Sequence, residues 1–126
     1  MTRITMTFGD GEPVLTAKLR DTPTAAAIAA ALPLEARTQT WGAEVYFQVP
    51  VTAPPEPDAT DLINPGELAF WLAGSCIAIG FGPTPVSVGD EIRLASPANI
   101  WADAIEDVRI LAAVPAGVAV RLEAAD

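Results

Sequence analysis

Polar and apolar residues alternate strictly at the start of the chain. Ile4, Met6 and Phe8 fall on one side of an extended segment, and Arg3, Thr5 and Thr7 on the other. A period of two is the mark of a strand with one buried face. After the turn "GDGE" a second alternating run, Val14–Leu19, completes a predicted hairpin. The period changes at "DTPTAAAIAAALP": Thr22 is placed to cap, Pro23 suits the first helical position, and Pro33 ends the run, so one short helix is predicted near residues 23–32. Beyond it the period of two returns. Strands are predicted at Leu34–Thr38, Glu44–Val49, Glu67–Leu72 and Cys76–Phe81. Val51–Pro57, with three prolines, is expected to be an irregular loop, and "INPGE" (Ile63–Glu67) a turn. Gly89–Ala98 reads as loop and Asn99–Ile105 as extended. A last hairpin is expected, with Val108, Ile110, Ala112 and Val114 on one arm, "PAG" as the turn, and Val118, Val120 and Leu122 on the other.

About eight short strands and one helix point to a mainly β architecture, a closed barrel that leaves no sheet edge free. No repeat or linker divides the 126 residues, and one domain over residues 1–126 is expected; a chain of this length can bury roughly two-thirds of its unfolded surface. Barrel interiors are apolar, and that assigns the side chains. On Glu44–Val49 the inward set is Val45, Phe47 and Val49, leaving Glu44, Tyr46 and Gln48 outside. On Glu67–Leu72 the outward set is Glu67, Ala69 and Trp71; on Cys76–Phe81 it is Cys76, Ala78 and Gly80. If these three strands are neighbours, small residues form a floor between polar and aromatic walls, which makes a shallow outer groove.

Charge and composition then narrow the chemistry. The formal net charge is −9, with one lysine (Lys18) and six arginines. That sign argues against nucleic-acid binding, which needs a basic face, and equally against docking on anionic lipid. Cys76 is the only cysteine, so no internal disulfide can form, and it reads as a small buried filler. There is no histidine, which removes Ser-His-Asp and Cys-His nucleophile pairs and imidazole zinc sites. Any general acid or base must be a carboxylate, a tyrosine, the cysteine or the lysine. Asp103, Glu106 and Asp107 match no metal-binding loop, so neither a metal nor a cofactor is expected. "MTRITMTFGDGEP" lacks the continuous apolar core of a signal peptide, and Leu68–Gly82 is too short to span a bilayer; a cytoplasmic protein is the expectation.

Three strings, "WGAEVYF" (Trp41–Phe47), "PGELAFW" (Pro65–Trp71) and "GFGPTPVS" (Gly80–Ser87), together with the helix ending in "ALP", resemble small prokaryotic cyclophilin-like proteins of uncharacterised function. The resemblance spans about Thr22 to Asp103 and implies an eight-stranded cyclophilin-type barrel with no established reaction. True cyclophilins are prolyl isomerases that use a groove arginine. From Thr38 to Ile92 this chain has no Arg, Lys or His and seven Asp or Glu, so the barrel strands cannot supply that cation. The leading expectation is a binding module for a small molecule or a peptide segment. Its candidate ligand-binding residues are Trp41, Glu44, Tyr46, Gln48 and Trp71, with Gly82, Pro83 and Thr84 as the rim. With carboxylates and no basic side chain, the groove favours neutral or cationic ligands. Two alternatives stay open. One is an atypical prolyl isomerase or carboxylate-dependent enzyme with Glu44 as base and Tyr46 as partner; the other is a structural subunit, homo-oligomeric or not, that uses the groove face as an interface. Trp41 and Trp71 also suit packing, and Gly82, Pro83 and Pro85 also suit turn chemistry alone.

Overall fold

In the computed structural model, which describes residues 2–125, ten strands form one antiparallel sheet that curls into a nearly closed barrel. The strands are β1 (Arg3–Phe8), β2 (Val14–Leu19), β3 (Leu34–Arg37), β4 (Gln39–Thr40), β5 (Glu44–Gln48), β6 (Thr60–Ile63), β7 (Glu67–Trp71), β8 (Cys76–Gly80), β9 (Ile92–Ala104) and β10 (Ala119–Ala124). The sheet runs β3-β10-β1-β2-β9-β7-β8-β5-β4, with β6 paired to β9 off this path. Its two end strands are joined through Thr38 alone, so the chain itself carries the sheet round to its starting edge. The expected barrel is therefore present with two more short strands than the eight anticipated. One helix, α1 (Pro23–Ala31), has Thr22 as its cap, the Thr22 hydroxyl accepting from the Ala25 amide at 3.1 Å.

Alternation and burial agree where the sequence is regular. Ile4, Met6, Phe8, Leu15, Ala17, Val45, Phe47, Leu68, Phe70, Ile77 and Ile79 fill the barrel with Ile28 of α1 and with Trp101. Outside the barrel wall lies a second apolar cluster of Ile63, Ala69, Ala78, Ile92, Leu94, Ala98 and Ile100, against which Tyr46 packs. The outer faces of β7 and β8 are thus partly dry at Ala69 and Ala78, where small apolar side chains meet this cluster.

Three regions depart from the sequence expectation. Gly89–Ala98 is not a loop: from Ile92 it joins Asn99–Ala104 in one 13-residue strand. The alternation is broken within β9 by register shifts, one between Leu68 and Ala69 on the partner β7, so Trp101 and Ala102 both serve the inner core while Ile100 turns outward. Thr60–Ile63 is a strand covering the N-terminal part of β9. Val108–Ala113 is a 3₁₀ turn, not a strand. Val108, Leu111 and Val114 are its buried residues, spaced by three, whereas Ile110 and Ala112 are not buried. A 3₁₀ turn eclipses positions three apart, so the apparent alternation of valine and isoleucine was a coincidence of spacing. Asp107 starts this turn by accepting from the Arg109 amide at 2.9 Å.

The proline loop Val51–Pro57 is irregular as expected, and a buried amide pins it. Asn99 accepts from the Glu56 amide and donates to Pro54 O, each at 2.9 Å. It also donates to the Thr24 hydroxyl, which in turn donates to the Glu56 carboxylate. No helix among the described residues is long and apolar enough to cross a membrane.

Candidate functional site

The three strands named above are neighbours, and β8 lies between β5 and β7. Their registers set outward residues side by side. Tyr46 pairs with Ala78, and Ala78 with Ala69; Gln48 pairs with Cys76, and Cys76 with Trp71; Glu44 pairs with Gly80. Small side chains on the middle strand leave room between taller ones on its neighbours. The room is a cavity of about 160 Å³. Cys76 and Ala78 are its floor, Trp41, Glu44 and Tyr46 stand on one side, Trp71 on the other, and Leu94 and Ala95 of β9 close it.

Of the eight residues that the sequence singled out, Trp41, Glu44, Tyr46 and Trp71 line this cavity, and Gln48, Gly82, Pro83 and Thr84 do not. Gln48 is exposed at the end of β5. The Gly82–Pro85 loop stands behind the Trp41–Glu44 turn and holds it. Ala43 N donates to Pro83 O at 2.9 Å, Phe81 N to Ala43 O at 2.8 Å, and Trp41 N to Glu44 O at 3.0 Å. Gly42, at φ +59°, lets the two segments touch: a Cβ there would lie 2.9 Å from Pro85 Cδ and from Thr84 Cα. Thr84 is buried, and its hydroxyl is engaged by Arg93 O and lies 3.2 Å from Ser87 Oγ. That hydroxyl is an anchor for the loop and is not presented to the cavity.

The ring-bearing residues are also held. Trp71 donates its Nε1 hydrogen to Ser96 Oγ. Its indole lies against Gly74, where a Cβ would meet ring carbons at 2.5 and 2.7 Å. The Gly74-Ser75 connection therefore does more than reverse the chain, since it clears the seat of the indole. Tyr46 OH donates to Gln39 Oε1 at 3.1 Å. Leu94, Ala95 and Ser96 escaped the sequence reading because their segment looked like loop; the one signal was the Leu-Ala-Ser-Pro-Ala run of small residues leading into Asn99.

Glu44 is the chemical centre of the arrangement. It is only 6% exposed, faces the cavity, and receives no hydrogen bond or ion pair at its carboxyl among the described residues. Burial without a partner disfavours the charged form and pushes its pKa up to about 7. The Cys76 thiol is pushed up by burial and further by the Glu44 charge, so it stays a thiol and a filler. The other acids that the sequence raised are occupied. Asp103 takes two hydrogen bonds from Arg20, Glu106 accepts the Thr16 amide, and Asp107 holds Arg109. No Arg or Lys lines the cavity. A largely buried acid among three aromatic rings can attract a cation, or exchange a proton with a neutral guest.

The sequence matches the Cyclophilin-like family over residues 2–123. The hypothetical protein AF2241 from Archaeoglobus fulgidus, solved in solution, has a similar structure, with a TM-score of 0.81 and 32% identity over 97% of this chain and 93% of that one. The structure of McbB in complex with tryptophan is similar at a TM-score of 0.71 and 16% identity, a likeness of fold; 97% of this chain is covered but only 44% of McbB, so the chain spans less than half of that protein. No curated protein matches the chain.

Proposed function

Because the chain belongs to the Cyclophilin-like family, which sets the barrel but names no reaction, we propose that it is a binding module for a small neutral or positively charged organic molecule. A fold hosts many functions, and the side chains of the site distinguish them. The observation that carries it is the unpartnered, buried carboxyl of Glu44 in an otherwise apolar and aromatic cavity. Ligand pockets combine such a lining with a few directed polar groups. The contacts are Trp41, Glu44, Tyr46 and Trp71, and the Gly82–Pro85 loop keeps the first two in place at little ordering cost on binding. McbB, of the same fold, is in complex with tryptophan, which supports a small ring-bearing molecule as a suitable class of guest. Without a guanidinium in the lining, prolyl isomerisation receives no support.

The test is a thermal-shift screen of amines, neutral ring compounds and carboxylic acids. A ligand specific for the folded state raises the melting temperature with its concentration. Amines and neutral compounds are expected to stabilise the protein, and Trp71→Ala to remove the effect. Stabilisation by carboxylic acids alone overturns the reading. A carboxylate-dependent enzyme is the second reading, favoured by the same Glu44: a pKa near 7 lets one group both take and give a proton at neutral pH. Turnover of any compound from the screen that vanishes in Glu44→Gln supports it.

A further inference from the structure

Resting on that reading of the cavity, we propose that its occupant is a fully methylated ammonium group, caged by Trp41, Tyr46 and Trp71 with Glu44 as the counter-charge.

Three features of the lining select this chemistry. Size comes first. An enclosed apolar cavity of about 150 Å³ holds a benzene molecule, and this one, open on one side, is about 160 Å³. A trimethylammonium head has comparable bulk, so it fills the space, and the rest of the ligand leaves past the half-exposed rings. Aromatic character is second: the faces of Trp and Tyr attract a cation through the ring quadrupole, most strongly when the cation is desolvated.

The third feature separates methylated from primary ammonium. A primary ammonium carries three N–H donors that must all find acceptors once buried. Here the wall is mostly apolar, and beside the Glu44 carboxyl its side chains offer only the Tyr46 oxygen, whose hydrogen goes to Gln39, and Cys76 Sγ, a weak acceptor whose hydrogen goes to Gly74 O. Among the described residues of the wall, Glu44 is the one acceptor side chain with no hydrogen-bond partner, and these few acceptors do not surround a buried ammonium on three sides. A quaternary head has no donors to leave unsatisfied, and it needs only the single opposite charge.

Binding is coupled to a proton, because Glu44 must be ionised to act as counter-charge. The other titratable groups in the lining are Tyr46 and Cys76. Across the cavity, Arg93 precedes Leu94 on β9, but Glu91 and Asp61 hold its guanidinium at 2.7 and 3.1 Å. With the acid titrating near 7, the ionised fraction rises about tenfold between pH 6 and pH 8, and affinity follows it.

Isothermal titration of the full chain uses three probes: choline, the neutral alcohol in which tert-butyl replaces its trimethylammonium, and methylammonium. Choline is expected to bind at pH 8, about tenfold more weakly at pH 6, and more tightly than either other probe. Glu44→Gln, checked for folding by circular dichroism, is expected to lose most choline affinity and all its pH dependence while still taking the neutral alcohol. If the neutral alcohol binds at pH 8 as tightly as choline, the ammonium inference falls and the apolar cavity survives. Choline binding that is unchanged in both Glu44→Gln and Trp71→Ala also overturns it, because the site lies elsewhere. If none of the three probes binds and neutral ring compounds give no thermal shift, both this inference and the cavity reading fail.

Discussion

Glu44 and Glu67 begin β5 and β7, the two strands that flank β8, and both point away from the barrel core. Their surroundings differ completely. Glu67 accepts from Arg20 Nη2 at 2.9 Å and from the Asn64 amide at 2.7 Å. The same guanidinium grips Asp103 through two bonds of 2.7 and 2.8 Å and holds that carboxyl below its usual range. This acidic pair and its arginine form a clasp between the end of β2, β7 and β9. Glu44 meets rings, a thiol and methyl groups, and is the drier of the two acids. An acid with its partners in place contributes to the fold; one buried without a partner costs stability. This contrast is what supports the proposed site on the β5 side of the sheet.

The largest expected effect is Glu44→Gln. The folded-state pKa of about 7 lies above that of an unfolded glutamate, so the native protein binds the extra proton between the two values. Its stability therefore falls as pH rises from about 4.5 and levels off above 7, a loss of about 3 kcal/mol that the amide does not suffer. Urea midpoints from pH 5 to pH 9 should show the variant gaining on the wild type up to about pH 8. Parallel pH profiles would mean that Glu44 is solvated after all.

Second is Gly74→Val, which drives a branched side chain into the Trp71 indole. A loss of about 2 kcal/mol is expected, with a red-shifted tryptophan emission as the ring leaves its seat. Unchanged emission would show that Gly74 does not position the ring.

Arg20→Gln opens the clasp instead of the cavity. Its partners are part-exposed, so about 1 kcal/mol is expected at pH 7. The sign is opposite to that of Glu44: Asp103 is depressed, so its contribution is present above the unfolded aspartate pKa and disappears as pH falls through the lower folded value. The difference from wild type should shrink below about pH 4. A difference that grows on acidification would contradict the pairing.

Smallest is Arg121→Gln. Arg121 lies exposed between Glu35 and Glu123, and at most a marginal fall of the urea midpoint is expected. A larger loss would make this surface network a second clasp.

The barrel strands were legible because their pattern is local. Successive side chains of a strand face opposite ways whatever the rest of the molecule does, so Val45, Phe47, Leu68, Phe70, Ile77 and Ile79 could be assigned inward, and Glu44, Tyr46 and Trp71 outward, before any pairing was known. Reading failed where that rule is interrupted. A register shift inside β9 hid a 13-residue strand, and a repeat of three in Val108–Val114 imitated a repeat of two. The anchoring of Thr84 was illegible for another reason: its hydroxyl donates to the Arg93 carbonyl nine residues away, and no local pattern announces such a bond.

Residue order therefore settled the side of the sheet on which each group lies, since backbone geometry alone dictates it. Tertiary structure decided what each group meets there. Arg20 reaches Glu67 across 47 positions of chain, and Ser96 receives Trp71 across 25. Glu44 acquires its raised pKa from the neighbours that folding withholds from it. Charge and hydrogen bonding act through space and desolvation is a property of the assembled wall, so partnership, and with it the chemistry of the cavity, comes into being only when distant segments are brought together.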